Sequence, residues 1–236
     1  MTRIITAVAV TLAFTLLARA IRGVTTSGAI AGAIVCLLLY AIAGPGAFVA
    51  LVTVFVLAWI TTRLGYSKKQ KLGTAERREG RTASQVLANL GTAAVCAVLF
   101  ALSAKNFSYL LAACAALAEA AGDTVSSEFG QAFHQQAHLI TTGELVPAGT
   151  DGGITLAGTL TGAAAAAIVT GVCVATAVIP RNWFSLSVLS AVAGMLFDSF
   201  LGALFERRHL LNNDAVNFLS TVFAAALAFS LSLYFQ

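Results

Sequence analysis

From Val24 to Thr62 the chain carries no charged residue, and that unbroken apolarity constrains the fold more than any other feature. Crossing ~30 Å of hydrocarbon as helix takes roughly 17 to 25 apolar residues, so the stretch is long enough to cross twice. The Gly44-Pro45-Gly46 triplet is where it can turn. Apolar runs of similar length recur, at residues 4–20, 24–43, 47–62, 85–104, 107–121, 154–179, 183–205 and 214–235. The runs 47–62 and 107–121 are short enough to be half-helices or strongly tilted ones. A chain with 58% hydrophobic and only 10% charged residues exceeds what a water-soluble core of this length needs. The expectation is an all-α, polytopic helical membrane protein with about eight transmembrane helices, residues 1–236 forming a single membrane-embedded domain.

The first run follows Arg3 as a secretory signal would, but its flank Ala18-Arg19-Ala20-Ile21-Arg22 is basic where a cleavage site is small and neutral, so it reads as a helix. Cys36, Cys96, Cys114 and Cys173 are scattered one to a run without a Cys-x-x-Cys pair, which makes them small core residues. His134 and His138 stand at helical i, i+4 spacing with no Cys beside them, a poor basis for zinc. The formal charge of +4 follows from basic loops on one side of a membrane and leaves no reason to expect nucleic-acid binding. Arg19, Arg22, the segment from Arg63 to Arg81, Arg207 and Arg208 fall on alternate connections, and Arg3, Lys105 and Arg181 on the others. By the positive-inside rule the first group is cytoplasmic, with both termini outside. The acidic connection from Asp123 to Gly153 then also lies in the cytoplasm, so every polar motif gathers at that face. An active site facing the cytoplasm across a prokaryotic inner membrane is expected.

Carboxylates at the ends of apolar runs carry the chemistry. Asp123 follows the run ending at Ala121, Asp198 lies inside the run 183–205, and Asp214 opens the last run. An ionisable side chain at membrane depth costs about 2.5 to 3.5 kcal/mol on insertion scales, so it is kept where it meets a partner, an ion or water. Glu119, Asp123 and Ser127 share a helix face at i, i+4, i+8, and Asp214, Asn217 and Thr221 share another. Between them, Gly149-Thr150-Asp151-Gly152-Gly153 precedes an apolar run, and a glycine-rich turn lets backbone N–H groups approach phosphate oxygens. It is no Walker A motif, lacking Gly-Lys-Ser/Thr. The loop from Lys68 to Arg81 interleaves base with Gly73, Thr74, Glu76 and Gly80, more than a topology-setting loop needs, and Gln85, Asn89 and Thr92 carry a polar stripe beyond it.

These residues stand in a fixed order: Gly65-Tyr66 with Lys68 and Lys69, Gly73-Thr74-Ala75-Glu76, Gly80-Arg81, Gln85-Val86-Leu87-Ala88-Asn89, then Asp123-Thr124 with Ser126-Ser127-Glu128. Val146-Pro147 with Gly149-Thr150-Asp151-Gly152-Gly153 follows, then Asp198-Ser199 with Leu201-Gly202-Ala203, and Asn213-Asp214 with Val216-Asn217. The set resembles the integral-membrane phytyl-phosphate kinase family, which has plant plastid, cyanobacterial, bacterial and archaeal members. More remotely, it is similar to the CTP-using polyprenol kinases. The resemblance implies phosphoryl transfer from a nucleoside triphosphate, CTP, to an isoprenoid monophosphate such as phytyl phosphate.

Chemistry then distributes the roles. Phosphoryl transfer needs metal and cationic clamping of spread-out negative charge, and an acceptor that is already a phosphate needs no general base. Asp123, Asp198 and Asp214 are the expected catalytic acids, organising Mg2+ with Glu128 as a further ligand. Lys68, Lys71 and Arg81 are expected to hold phosphates, with Thr74, Glu76, Asn89 and Asn217 beside them. The nucleotide phosphates are expected on Gly149, Thr150, Asp151, Gly152 and Gly153, and the prenyl tail between helices. A transporter, a membrane cytidylyltransferase using the same metal and CTP, and a prenol kinase are the alternatives; assembly as a homo-oligomer stays open.

Overall fold

Among residues 2–235, which the computed structural model describes with side chains from Ile4 onward, the chain forms nine α-helices. They are α1 (Thr2–Ala20), α2 (Thr26–Leu38), α3 (Pro45–Arg63), α4 (Tyr66–Leu72), α5 (Ala83–Leu102), α6 (Ser108–Phe133), α7 (Leu156–Ala175), α8 (Phe184–Leu201) and α9 (Asn213–Tyr234). Segments 26–43, 45–63, 83–102, 156–175, 181–206 and 213–234 are long and apolar enough to cross a membrane. Two of the eight expected spans differ. The apolar part of α1, Ile4–Ala20, is shorter than these six, and α6 carries too many polar groups to join them. The expected turn between the second and third runs is present: α2 widens into a π turn at Leu39–Ala43, Gly44 takes φ 95°, and Pro45 starts α3 at the position where its missing N–H has no helical partner.

The run expected to stop at residue 121 instead continues to Phe133, making α6 the longest helix at 26 residues. It is also the central one, packed against α3, α5, α7, α8 and α9. Its middle is rich in alanine, and Leu110 to Gly122 is buried throughout. In lipid, helices gain little from hiding apolar surface from one another and associate through close packing, which favours small side chains. The crossing with α7 is the clearest instance. A Cβ on Gly162 would lie 2.6 Å from the Gly122 carbonyl oxygen, and one on Gly158 would lie 2.7 Å from that of Ser126. Gly158 and Gly162 form a Gly-x-x-x-Gly pair, one turn apart on the same face of α7. Hydroxyl pairs join other helices: Thr92 with Thr221 at 2.8 Å links α5 to α9, and Thr170 with Ser187 at 2.9 Å links α7 to α8.

Charge does not end α6 because its polar turns are answered from within the fold. The Lys69 ammonium, fully buried, pairs with Glu128 of α6 and also donates to the carbonyls of Thr61 (3.2 Å) and Thr62 (2.8 Å) at the end of α3. Lys68 beside it donates to the carbonyls of Ala132 (3.3 Å) and His134 (2.6 Å), satisfying the open C-terminus of α6. The basic loop therefore includes a short helix, α4, that ties two helix ends together. Side chains cap the helices that start at this same end: Thr25 accepts from Gly28 N–H, Thr155 from Gly158 N–H, Asn212 from Ala215 N–H, and Thr82 forms a capping box with Gln85.

The connection after α6 is not plain loop. β1 (Gln136–Leu139), β2 (Leu145–Pro147) and β3 (Gly153–Ile154) form an antiparallel sheet in the order β2-β1-β3, with Ala137 opposite Val146 and Leu139 opposite Gly153. His134 is the extended residue that ends α6 and His138 lies on β1, so the helical spacing expected of this pair is absent.

Removing one partner of a buried ion pair strands the other, at about 3 to 5 kcal/mol. Lys69→Ala is accordingly expected to lower the midpoint of thermal unfolding in detergent markedly, and Lys69→Met with Glu128→Leu to recover most of the loss. A Lys69→Ala protein as heat-resistant as wild type would remove this pair from the fold's supports.

Candidate functional site

The segment Gly80-Arg81 is fixed by backbone contact with the turn between α1 and α2. Arg81 N–H donates to the Gly23 carbonyl (3.1 Å), the Arg81 carbonyl accepts from Thr25 N–H (2.9 Å), and Val24 bridges Arg81 in parallel. Two glycines permit this approach. Gly80 has φ 90° and would place a Cβ 2.5 Å from Val24 N, while a Cβ on Gly28 would lie 2.2 Å from the Arg81 oxygen. From this anchored backbone the guanidinium reaches α6, where Nη2 donates to Thr124 Oγ1 at 3.3 Å. Glu76 lies 3.9 Å from Arg81 Nε. Glu76 is itself held, accepting from Gln85 Nε2 (3.1 Å) and from Arg77 N–H (2.9 Å), with its carbonyl taking the Tyr66 hydroxyl (3.1 Å).

On the α6 side of Arg81, beyond Thr124, is a polar cavity of about 160 Å3 that the arginine itself does not line; Asp123, Ser126 and Ser127 of α6, the turn Gly149–Gly153, Asp198 and Glu206 do. Asp198 lies in the last turn of α8, and the chain then widens into a π turn, Gly202–Glu206. Asp198, Gly202 and Glu206 line this cavity together, the π turn running from the second to the third. The glycine turn is wedged between two neighbours. A Cβ on Gly149, at φ 91°, would meet Thr74 Cγ2 at 2.7 Å, and one on Gly152, at φ 76°, would meet Ala203 Cβ at 2.4 Å. Among the described residues the amides of Gly149, Asp151 and Gly152 take no acceptor from the protein, whereas Thr150 N–H and Gly153 N–H close the turn on Pro147 and Thr150. Burial raises the Asp151 carboxyl above its ordinary value, against the opposing pull of Arg207 and His209. Deeper, the Glu119 side chain is 1% exposed with Oε1 unpartnered, and Ser220 donates to Asp198 Oδ2 at 3.1 Å.

On the other side of Arg81 is an apolar cavity of about 350 Å3 between α1, α2, α3 and α5. Its walls include Phe14, Gly32, Leu51 and Phe55, and its mouth carries Arg22, Arg63, Arg77, Arg78 and Arg81. Among the described residues Arg22, Arg77 and Arg78 form no ion pair, and Arg63 is spent on the Trp59 and Ile21 carbonyls and the Trp59 ring.

The structure thus brings Asp123, Asp198, Asp151, Gly149, Thr150, Gly152 and Gly153 to one cavity, and Glu76, Arg81 and Asn89 to the other. Thr74 packs on Gly149 between the two. Lys68 and Lys71 line neither cavity: Lys68 caps α6, and Lys71 is exposed. Glu128 is taken by Lys69. Asp214 and Asn217 lie in the first turns of α9, and it is the preceding residue, Asn213, that reaches the polar cavity. Glu206 was not foreseen, although it is the first charge after an apolar run, the signal that marks Asp123. Arg22, Arg77 and Arg78 were read only for topology. Among the described residues no three carboxylate, His or Cys side chains converge tightly enough to hold an ion by themselves. Asp123 and Asp198 are the carboxylates the cavity would offer to magnesium, an oxygen-seeking ion usually held by one or two carboxylates together with substrate phosphates.

The chain is 31% identical over 210 residues to an uncharacterized membrane protein of Methanocaldococcus jannaschii, covering 85% of this chain and 82% of that one. It is 29% identical over 206 residues to protein VTE6, chloroplastic, of Arabidopsis thaliana, covering 84% of this chain and 62% of the plant protein. An uncharacterized membrane protein of Synechocystis is 29% identical over 195 residues, 81% of this chain and 76% of its own. No solved structure matches. A family model described as integral membrane protein DUF92 matches residues 9–225. An apolar cavity lined by an anchored arginine and an acidic cavity beyond it are therefore features of a member of this family, for the chain belongs to the integral membrane protein DUF92 family.

Proposed function

We propose that the protein transfers the terminal phosphoryl group of a nucleoside triphosphate, CTP, to an isoprenoid monophosphate, giving the diphosphate. One observation carries this reading: Arg81 lines an arginine-rimmed apolar cavity and its guanidinium donates to Thr124, the neighbour of Asp123 in a cavity lined by acids and the glycine turn. The first suits a lipid tail with an anionic head, and its volume falls in the range of small-molecule sites. The second suits phosphates with a metal ion. The resemblance to phytyl-phosphate kinases supports it, as do relatives that include a chloroplastic and a cyanobacterial protein.

In this mechanism the free amides of Gly149, Asp151 and Gly152 receive the donor's phosphate oxygens, helped by the N-terminus of α7 just beyond. Asp123 and Asp198 would hold Mg2+, with Glu206 and Asp151 in the same cavity. When bound, the metal neutralises charge on the transferring group. The acceptor's head lies among Arg22, Arg77 and Arg78, with its reactive oxygen directed past Arg81. That oxygen forms a bond to the terminal phosphorus of the donor, the bond from that phosphorus to the bridging oxygen breaks, and CDP leaves. The acceptor oxygen is already ionised, so no residue has to remove a proton. Arg81, fixed at its backbone and aimed by Glu76 and Thr124, stabilises charge on both sides of the forming bond. Lys and Arg crowd the polar end, with Lys105 and Arg181 at the other, so we place the site at the cytoplasmic face.

The decisive test is product analysis. Purified protein with CTP, Mg2+ and phytyl phosphate is expected to release CDP and form the diphosphate. Release of pyrophosphate would make it a cytidylyltransferase, and equal rates on phytol and phytyl phosphate would make it an alcohol kinase. Asp123→Asn and Asp198→Asn are each expected to lower kcat at least about a hundredfold, equivalent to about 2.7 kcal/mol, while Asp214→Asn costs less. Wild-type rates in the first two would dismiss the acid cavity as the metal site. For orientation, single cysteines at the exposed positions Ser67 and Gln135 are expected to react with an impermeant thiol reagent only in permeabilised cells. The four native cysteines are buried and contribute little background.

A further inference from the structure

The apolar cavity has a floor, and the floor lies at a measurable depth. Its mouth is at the end of the bundle where α3 finishes with Thr62 and Arg63 and where Gly28 opens α2 beside Arg81. The lining residues farthest from that end are Phe14 on α1, Cys36 on α2 and Leu51 on α3. At 1.5 Å per residue, Gly28 to Cys36 spans about 12 Å and Thr62 to Leu51 about 16 Å. An extended chain advances about 1.2 Å per bond, so about 10 to 14 main-chain bonds fit between mouth and floor. That is about three isoprene units, with a fourth accommodated if the first lies at the mouth beside the head.

The floor is rigid. Phe14 stands edge-on to Phe48 (ring centroids 5.7 Å apart) and to Phe55 (5.2 Å), so its ring cannot turn aside without breaking both contacts. Phe48 is buried and belongs to the main core, which ties the floor to the packing of the bundle. Halfway down, Gly32 leaves the wall open: a Cβ added there would meet only Val86 Cγ1, at 4.0 Å. Gly28 one turn above packs under the Arg81 carbonyl, whereas no close backbone contact requires glycine at position 32.

We propose that this cavity measures the acceptor's chain, admitting a single isoprenoid of three to four units, head at the arginine rim, with Phe14 stopping longer chains and the missing side chain of Gly32 leaving room for the middle of the tail. The proposal rests on the reading of the substrate as an anionic isoprenoid, and it assigns the length limit to residues that touch neither phosphate nor metal. A side chain at position 32 shortens the gauge from the wall, and loss of the Phe14 ring lengthens it from the floor.

The experiment uses full-length protein in lipid nanodiscs and measures both Kd and kcat/KM for prenyl monophosphates of two, three and four isoprene units and for a long polyprenyl monophosphate. Wild type is expected to prefer three and four units. Gly32→Phe is expected to shift the ratio of two-unit to four-unit acceptor toward the short chain by at least about tenfold, since one methylene in an apolar pocket is already worth that order of discrimination. CTP binding should be unchanged, which separates a filled tail cavity from a damaged site. Phe14→Ala is expected to shift the preference toward the long chain, and if that variant fails to fold, Gly32→Phe decides alone, since it removes no existing contact. An unaltered chain-length ratio in folded Gly32→Phe would overturn the gauge even if phosphoryl transfer is observed. Length-selective binding that Gly32→Phe abolishes, without any transfer from CTP, would uphold the gauge and sink the kinase reading. Absence of length selectivity in wild-type binding would overturn it as well.

Discussion

Hydrocarbon offers no hydrogen bonds, so each polar group that enters it has to be met by the protein itself, and the organisation of this molecule follows from that demand. Lys69, just outside the apolar spans, meets the same demand in the protein interior. Its ammonium is fully buried, and it uses Glu128 and two carbonyls at the end of α3 in place of water. That single side chain joins the ends of α3 and α6 and lets the central helix carry carboxylates where an isolated one would have to stop. The same demand explains why the capped ends of α2, α5, α7 and α9 share the polar end of the bundle with the acids: water, charge and unpaired backbone are concentrated where they are least costly.

The two cavities offer environments that the proposed phosphoryl transfer between lipid and nucleotide would have to keep apart. Acids on the α8 side would repel an anionic lipid head, and arginines on the α2 side would compete with a metal for phosphate. Arg81 lines the apolar cavity and points toward the acids, because its backbone is held by the α1–α2 turn while its guanidinium reaches Thr124 on α6, next to Asp123. Placing an intrinsically flexible side chain on a segment that two glycines bring against a neighbouring backbone limits the freedom it would lose on meeting substrate.

The membrane class was legible, and among the eight expected spans the six that are long and apolar enough to cross, because apolar length is a one-dimensional property of the sequence. Asp123, Asp198 and the turn around Gly152 were legible for a related reason, since charge beside hydrocarbon and clustered glycine each stand out locally. What escaped depends on partners far apart in sequence. Lys68 reads as a phosphate ligand until the open carbonyls of α6 are seen beside it, and Glu128 as a metal ligand until Lys69 is. The end of α6 was misjudged because a polar residue halts a lipid-facing helix but not one enclosed by five others. Strands of two to four residues, as in β1 to β3, are too short for an alternation to be read.

The close crossing of α6 and α7 has a bearing beyond packing. Gly122 and Gly162 bring the two backbones together one residue before Asp123, and Gly158 does so at Ser126, so the spacing of these helices sets the width of the acid cavity on one side. Membrane helices answer a change in bilayer thickness by tilting. A tilt of α7 against α6 pivots about those glycines and displaces the turn Gly149–Gly153 relative to Asp123. A bilayer that tilted α7 would in that way reach the polar site through helix geometry, without any lipid entering the cavity.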